Sequence, residues 1–441
     1  MASGHDTIVA LSSGQGRAAI ALVRVSGSLT RFVIETILSQ PLVPRMARLV
    51  AVTEPVSGQV LDHCVATFFA APRSATGEDV VELGLHGGLA VVEAVLRCIC
   101  EIHPDIRLAE PGEFSRRALE NGKLSLVQVE ALGDLLEAET RQQLAQAQRQ
   151  LSGELHDMAG LWRERLTRMR ALIEAELDFS DEGDVADGQL ATVQGLAGAL
   201  ENDIRAVLGT AERGRLIRDG AVIAIMGAPN AGKSMLLNAL VGRDMAIVSD
   251  IPGTTRDLIE APAVIEGWPV VFVDTAGLRQ SLDPVERLGI ERARAMTERA
   301  DVVLLVSAPD VPPVGQEELI GGAKIIQVRT KRDIDLSSVD PGNTAIRVSA
   351  LSGAGLDQLR DAIGGRLRML LSGEPSLVSR ERQRKALSEA VYTLARSRQQ
   401  KAGELLAEDL RSASQALARL VGATDLDTVL DRLFAGFCIG K

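Results

Sequence analysis

The chain has 441 residues, about two to three times the usual length of one domain, so several compact units are expected. It is 46% apolar and 24% charged, a composition that excludes extensive disorder. A net charge of −11 excludes general attraction to nucleic acid or anionic lipid, so any RNA contact has to be local. Aromatic residues make up only 2% of the chain, which leaves few of the stacking platforms that single-strand-binding proteins use.

Residues 1–6 lack the basic and apolar stretches of an export signal, and no segment reaches the roughly 18 to 20 apolar residues that span a bilayer. We therefore expect a cytoplasmic protein without membrane association. The cysteines are too few for a disulfide framework and lack the paired spacing of a zinc site. They are Cys64, Cys98, Cys100 and Cys438. Cys98 and Cys100 lie in an apolar segment and are predicted to pack in a core.

Short β-branched runs separated by Gly, Pro and Ser turns fill residues 7–121. Strands are predicted at 20–25, 63–69 and 79–83, and a helix at 89–101. This mixture predicts an N-terminal α+β domain over residues 1–120.

Long helical stretches follow this domain and return further along the chain. Residues 124–213 contain no proline and place apolar residues three and four apart, and the same texture returns at 380–420 and 425–437. Between these stretches, apolar strands alternate with helical patterns, which predicts a parallel sheet with crossover helices. The strands are predicted at 221–226, 270–273, 301–306, 324–328 and 345–348.

The helical texture on both sides of the α/β block favours one discontinuous helical domain with the block inserted into it. The predicted boundaries are 121–215 for the first helical part, 216–372 for the inserted block and 373–441 for the second helical part. Two separate helical regions are the alternative.

Residues 227–234, GAPNAGKS, match the phosphate-loop pattern GxxxxGKS/T between a predicted strand and a predicted helix at 235–241. Glycines let the backbone wrap an anion with its N–H groups, and the helix N-terminus adds a favourable dipole. Lys233 is suited to bridge the β- and γ-phosphates, and Ser234 to offer its hydroxyl to Mg²⁺. The segment predicts a nucleoside triphosphate site.

Two further segments indicate which nucleotide binds. Asp274 ends a predicted strand and begins the sequence DTAG, which places a carboxylate near the metal and Gly277 near the γ-phosphate. Residues 330–333, TKRD, follow another strand at the edge where α/β proteins bind ligands. The carboxylate of Asp333 can accept the hydrogen bonds that guanine donates from N1–H and its amino group, which favours GTP over ATP.

This block resembles the translation-factor-related GTPases, whose base motif is Asn-Lys-x-Asp followed by a Ser-Ala element, here Ser349, Ala350 and Leu351. Thr330 stands where that motif has Asn, so we expect one amide contact fewer and weaker guanine binding. Many relatives also carry a Gln after the DTAG element, whereas this chain has Leu278, which cannot orient water. Positive charge for hydrolysis must come from a partner's arginine or a metal ion, and Asn230 offers a side-chain oxygen near the phosphates.

Motifs along essentially the whole chain resemble the MnmE (TrmE) family of tRNA-modification GTPases. They are DTIVA at 6–10, RVSG at 24–27, TGED at 76–79, Glu82 before HGG at 86–88, PGEF at 111–114, NGK at 121–123, GTTRD at 253–257 and FCIGK at 437–441. The resemblance implies a potassium-stimulated GTPase whose G domains pair during hydrolysis. K⁺ would be ligated by Asn230, Ser249, Ile251 and Thr254, and Mg²⁺ by Ser234 and Thr255. Glu286 would orient the attacking water through another water.

The resemblance completes the expected nucleotide contacts. They comprise Asn230, Ala231, Gly232, Lys233, Ser234, Met235, Ser249, Asp250, Ile251, Pro252, Gly253, Thr254, Thr255, Asp274, Thr275, Ala276, Gly277, Thr330, Lys331, Arg332, Asp333, Ser349, Ala350 and Leu351.

The N-terminal domain resembles the folate-binding and dimerisation module of this family. Arg24, Glu82, Lys123 and Lys441 match its folate positions, and Cys438 matches a cysteine proposed to act on the base; packing is the alternative for this thiol. The implied donor is methylenetetrahydrofolate, with 5-formyltetrahydrofolate as its stable analogue.

The implied function is modification of C5 of the wobble uridine of certain tRNAs, carried out by a homodimer with the partner MnmG in a heterotetramer that carries FAD on MnmG. The alternative is a ribosome-assembly or RNA-binding switch GTPase without modification activity.

Overall fold

The computed structural model describes residues 6–178, 189–242, 260–274, 300–312, 325–334, 344–373 and 376–422, together with Phe434, Phe437 and Gly440. The chain forms two compact units. The first comprises Met1–Gly133, Leu151–Val185 and Gly403–Lys441, and the second Asp134–Gln150 and Ala186–Ala402.

Between residues 6 and 120 the structure describes six strands and three helices. They are β1 (Thr7–Leu11), β2 (Ile20–Ser26), α1 (Thr30–Ile37), β3 (Arg48–Thr53), β4 (Val60–Phe69), β5 (Val80–His86), α2 (Leu89–Glu101), β6 (Ile106–Leu108) and α3 (Glu113–Glu120). The helices that follow are α4 (Leu126–Glu137), α5 (Arg141–Leu151), α6 (Glu154–Asp178), α7 (Gln189–Leu208) and α8 (Ala211–Asp219).

The α/β block and the second helical part follow. Their elements are β7 (Ala221–Gly227), α9 (Lys233–Val241), β8 (Glu260–Ile265), β9 (Trp268–Asp274), β10 (Val302–Ser307), β11 (Ile325–Arg329), β12 (Ile346–Arg347), α10 (Leu356–Leu371), α11 (Glu381–Ser397) and α12 (Gly403–Val421).

In the first unit the sheet order is β3-β4-β5-β2-β1-β6, and only the β1–β6 pair is parallel. Alternate residues of the strands, such as Val23 and Val25 on β2, form a buried core that includes residues of α1 and α2. The predicted α+β domain class is confirmed, and α2 has the predicted bounds. Cys64 and Cys98 lie in this core, where burial raises the pKa of the Cys64 thiol to about 12.

Helices from before and after the α/β block pack against each other, which confirms the predicted discontinuous helical domain. In the first unit α6 packs along α12, with Leu166 and Leu410 fully buried. In the second unit α7 packs along α11, where Arg398 forms an ion pair with Glu201 at 3.1 Å. In the part of the chain that the structure describes, no helix is long and apolar enough to cross a bilayer.

The second sheet has the order β12-β11-β10-β7-β9-β8. The five predicted strands are all present and parallel, but β8 adds an antiparallel edge that the sequence did not predict. Glu266 and Gly267 join β8 to β9 with positive φ values of 52° and 79°, as a tight hairpin turn requires. Pro262 lies within β8, and an edge strand accepts proline because one side of its backbone is unpaired.

Candidate functional site

The phosphate loop joins β7 to α9 at the carboxyl end of the central strand. Gly227 has a φ of 151°, and a Cβ there would lie 2.2 Å from the carbonyl oxygen of Val306, so only glycine fits. Gly232 has a φ of 83° at the N-cap of α9. The chain therefore turns sharply into the helix, whose free N–H groups make its N-terminus suited to bind an anion.

Lys233, the first residue of α9, is buried. Its Nζ donates hydrogen bonds to the carbonyl oxygens of Gly227 and Ala228, both at 2.9 Å. These bonds hold the ammonium group within the loop, where its charge adds to the helix dipole. The next two residues, Ser234 and Met235, are exposed on the first turn of α9.

The base-recognition segment, residues 330–333, follows β11. The carboxylate of its Asp333 is oriented by a second loop, which contains Ser349. The Ser349 hydroxyl donates to Oδ1 of Asp333 at 2.6 Å, and the backbone N–H of Arg332 donates to the Val348 carbonyl at 3.0 Å. Ser349 is buried while Asp333 is exposed. The arrangement fixes one carboxylate oxygen and leaves the group open to a ligand with two hydrogen-bond donors.

Thr330 connects this segment to the phosphate loop, a contact that the sequence analysis missed. Its hydroxyl lies 2.6 Å from the Ala231 carbonyl oxygen and 3.0 Å from that of Ser307, and the side chain is only 3% exposed. The residue therefore points away from solvent and into the loop that holds phosphate. The threonine hydroxyl therefore makes a hydrogen bond to the phosphate loop. The sequence analysis compared Thr330 only with the Asn of the base motif and considered only the lost amide contact.

Three further predicted base-site residues, Lys331, Ala350 and Leu351, lie beside Asp333 and Ser349 in the sequence. Lys331, at a positive φ of 57°, donates to Asp310 at 2.5 Å, and this bond lowers the pKa of the Asp310 carboxyl. Leu351 is largely exposed beside the buried Ser349, and Ala350 is half-buried between them.

Several predicted site residues fall outside the described residues. These are Ser249, Asp250, Ile251, Pro252, Gly253, Thr254, Thr255, Thr275, Ala276, Gly277, Glu286, Cys438 and Lys441. The backbone of Asp274 ends β9, where it pairs in register with Ile225 of β7. The DTAG element therefore begins on the strand next to the one that leads into the phosphate loop.

The predicted folate positions Arg24 and Glu82 are brought together by strand register, because they face each other on β2 and β5. Nε and Nη2 of Arg24 donate to the same oxygen, Oε1 of Glu82, at 3.0 and 2.8 Å. The guanidinium also lies 5.6 Å from the centre of the Phe114 ring. Lys123 is exposed and donates to the Pro72 carbonyl at 3.1 Å, and its side chain lies beside Gly77.

A buried ionic network lies at the end of the same sheet. Arg117 binds Asp6 at 2.7 Å, Glu113 at 3.0 Å and Glu78 at 3.3 Å, while Arg107 binds Asp6 and Glu113, each at 2.6 Å. Burial alone would raise the pKa of the Glu113 carboxyl, but the bonds from Arg107 and Arg117 outweigh it and lower that pKa. The network joins two segments, 6–10 and 76–79, that the sequence showed only as separate motifs.

The end of the chain returns to this unit. A Cβ on Gly440 would lie 2.1 Å from the Leu11 carbonyl oxygen, so Gly440, with a φ of 98°, lies directly against the end of β1. Phe434 packs edge-to-face on Phe437 with 5.6 Å between ring centres, and both belong to a cluster with Leu126. Gly440 therefore lies on the N-terminal sheet, and Phe434 and Phe437 pack on Leu126 at the start of α4.

The parallel strands, the phosphate loop with Gly227 and Gly232, and the Asp333 carboxylate oriented by Ser349 define a P-loop GTPase domain. The same chain also contains a discontinuous helical domain and an N-terminal α+β domain.

Comparison with known proteins specifies the family. The profile of the MnmE helical domain matches residues 126–438, and that of the GTP-binding protein TrmE N-terminus matches residues 7–123. The chain is 48% identical over 441 residues to the tRNA modification GTPase MnmE of Methylorubrum populi, with 99% of this chain and 98% of that protein covered. It is 47% identical over 444 residues to the protein of the same name from Azorhizobium caulinodans, with 100% of both chains covered. The chain belongs to the MnmE family of tRNA modification GTPases.

Proposed function

We propose that the chain is a potassium-stimulated GTPase that acts with an FAD-dependent partner, MnmG. The two form the 5-carboxymethylaminomethyl or aminomethyl group at C5 of the wobble uridine of certain tRNAs. The observation that carries this proposal is the phosphate loop that holds Lys233, together with Asp333 oriented by Ser349, in a chain 48% identical over 441 residues to a tRNA modification GTPase.

GTP hydrolysis requires positive charge at the phosphates and an oriented water. The buried ammonium of Lys233 and the N-terminus of α9 supply part of the charge. The exposed hydroxyl-bearing Ser234 on the first turn of α9 suits Mg²⁺, which prefers hard oxygen ligands; Thr255 is its proposed second ligand. Glu286 is the proposed group that orients the attacking water.

The remaining charge is proposed to come from K⁺. Asn230 is exposed in the phosphate loop at a φ of 63°, and its neutral amide oxygen fits an alkali cation. Ser249, Ile251 and Thr254 are the other proposed ligands. A bound K⁺ would offset charge on the phosphates as an arginine does in other GTPases.

The N-terminal domain is proposed to bind the tetrahydrofolate that donates the one-carbon unit. Both Arg24 bonds end on Oε1 of Glu82, so neither occupies Oε2, and the pair is only partly buried. A carboxylate oxygen there suits the amino edge of a pterin, and the ammonium of Lys123 suits a glutamate carboxylate. Lys441 is proposed to complete the pocket, consistent with Gly440 lying against Leu11.

A homodimer is proposed to form through the open face of the N-terminal sheet. Ile20 is 67% exposed, Leu49 68% and Val65 51%. Leu49 pairs with Val65 and Val65 with Gly84, so these side chains continue across neighbouring strands on the face that bears Arg24 and Glu82. An exposed apolar row of this kind favours burial against a second copy.

The test is nucleoside analysis of tRNA from cells that lack this chain. We expect the 5-carboxymethylaminomethyl and aminomethyl wobble uridines to disappear, and to return with the wild-type chain or with Val56→Ala, a change at a fully exposed turn. Unchanged nucleosides in the deleted cells would refute the proposal. Equilibrium dialysis with 5-formyltetrahydrofolate separates it from the ribosome-assembly alternative, because a ribosome-assembly factor would show no saturable binding.

A further inference from the structure

We propose that the exposed face of α11 holds an unpaired nucleobase of the tRNA on the ring of Tyr392, with Arg396 at the adjoining phosphate. This inference rests on the proposed function, because it identifies where the tRNA contacts the chain. The partner class is single-stranded RNA, such as a loop whose bases are unstacked.

The segment that contains this helix is basic in an otherwise acidic chain. Residues 380–401 hold seven Lys and Arg residues and two Asp and Glu residues, while the whole chain carries a net charge of −11. Local excess positive charge is the feature that attracts a phosphate backbone when the overall charge does not. The segment therefore meets the requirement that any RNA contact be local.

Tyr392 is the single tyrosine of the chain, and its side chain is 65% exposed. The opposite side of α11 supplies the buried residues Leu387, Ala390 and Leu394, so the helix packs on α7 without the aromatic ring. Burial would favour an aromatic side chain by about 1.5 to 3 kcal/mol, which makes exposure of this ring informative in a chain with so few. The ring presents a flat apolar surface to solvent.

Cationic groups flank the ring along the helix. The guanidinium carbon of Arg396 lies 5.9 Å from the centre of the Tyr392 ring. Lys385 is seven residues earlier on the same face, about 10 Å along the axis, and Arg396 is four residues later, about 6 Å. This order of cation, ring and cation fits a stacked base with phosphates on either side.

Carboxylates of neighbouring elements offset the positive charge at both ends of the segment. Asp134 pairs with Arg380 at 2.5 Å, and Glu201 pairs with Arg398 at 3.1 Å.

Two carboxylates of α11 itself also lie in the region. Glu381 accepts hydrogen bonds from Arg384 at 2.7 Å and lies 3.8 Å from Lys385, so part of the lysine charge is offset. Glu389 lies on the neighbouring strip of the helix. Arg396 is the cation whose guanidinium lies beside the ring.

The test measures binding of a fluorescently labelled tRNA transcript, with uridine at the wobble position, to the full-length protein over a range of salt concentrations. Tyr392→Ala should weaken binding about 5- to 150-fold, whereas Tyr392→Phe should retain it, because stacking needs the ring and not the hydroxyl. Arg396→Ala should lower the slope of log affinity against log salt by about 0.7 to 1, a change that Tyr392→Ala should not produce. Arg411→Ala, which removes an exposed arginine on α12, is the matched control and should leave binding unchanged.

The outcomes separate the surface from the function. If Tyr392→Ala binds tRNA as tightly as the wild type, the proposed RNA site on α11 is refuted. The proposed function is not affected by that result, because nucleoside analysis tests it separately. If Tyr392→Ala abolishes binding of MnmG but leaves tRNA binding intact, the exposed face of α11 binds a protein partner, and the proposal is also overturned. Because Tyr392 is the sole tyrosine, nitration read by mass spectrometry gives a second measurement. The tRNA should protect the ring, and equal nitration with and without tRNA would refute stacking.

Discussion

Replacing Thr330 by valine removes one hydroxyl from the contact between the base segment and the phosphate loop while nearly preserving side-chain volume. The hydroxyl lies 2.6 Å from the Ala231 carbonyl oxygen and 3.0 Å from that of Ser307. The hydroxyl has one proton and donates to one carbonyl at a time. In the valine variant the Ser307 carbonyl still accepts a hydrogen bond from the backbone N–H of residue 330, at 2.9 Å in the wild type. Ala231 is therefore the acceptor that loses a donor.

The magnitude follows from burial. Thr330 is 3% exposed, so water does not readily replace the lost donor, and leaving a buried acceptor unsatisfied costs about 1 to 3 kcal/mol. If this free energy is lost from the closed arrangement of the two loops, hydrogen exchange at the amides of residues 330 and 332 should accelerate about 5- to 150-fold. These two amides report on the segment because they bond to Ser307 and Val348.

Native-state hydrogen exchange on the full-length protein is the assay, and Thr330→Ser is the matched control because it keeps the hydroxyl. Equal exchange rates at residues 330 and 332 in Thr330→Val and Thr330→Ser would refute a stabilising role for the hydrogen bond between Thr330 and Ala231. Thr330→Asn extends the test, since its amide offers two donors where the threonine hydroxyl offers one. We expect this variant to bind GDP about fivefold more tightly, in line with the net value of one added hydrogen bond.

Further expectations concern the nucleotide, the cation and acid stability. Lys233→Ala should reduce GTP and GDP affinity by more than about 100-fold in equilibrium binding, and unchanged affinity would contradict the phosphate-loop assignment. Asp333→Asn should shift competition from GTP toward xanthosine triphosphate, because an amide supplies one donor and one acceptor where the carboxylate accepts twice. Exchange of K⁺ for Na⁺ should slow hydrolysis, and equal rates would remove the proposed cation role. The Glu113 carboxyl has a lowered pKa, so its contribution to stability is present above the unfolded value near 4.5 and is lost as pH falls below it. Acid unfolding followed by circular dichroism should therefore depend less on pH in Glu113→Gln, and an identical pH profile would contradict the network.

The fold was predictable where local sequence and burial agree. Alternating apolar residues identified the central strands, and proline-free stretches identified the long helices. Helix α3 was missed because it has only eight residues and its buried side includes Glu113 and Arg117 as well as Phe114 and Ala118, so its apolar face is small. Strand β8 was missed because Pro262 is acceptable only once the strand is known to lie at an edge.

The candidate site was predictable as motifs, but the bonds between motifs were not. The spacing of residues 227–234 predicted a loop around phosphate, and the structure places it between β7 and α9. The pairing of Arg24 with Glu82 depends on the β2–β5 register, which joins residues 58 apart in sequence. The bond from Thr330 to Ala231 spans 99 residues and ends on a backbone carbonyl, so no side-chain pattern signals it.

The phosphate loop is held mainly through its own backbone, which explains why one side chain of the base motif can differ while the glycine cannot. The Gly227 backbone approaches the Val306 carbonyl so closely that a Cβ would lie 2.2 Å from the oxygen. Lys233 binds the loop carbonyls at 2.9 Å, and Thr330 binds the Ala231 carbonyl at 2.6 Å. Because a backbone carbonyl accepts from any suitable donor, a threonine hydroxyl satisfies Ala231 without an amide at that position. Nothing comparable replaces Gly227, since every other residue adds the Cβ that collides with β10.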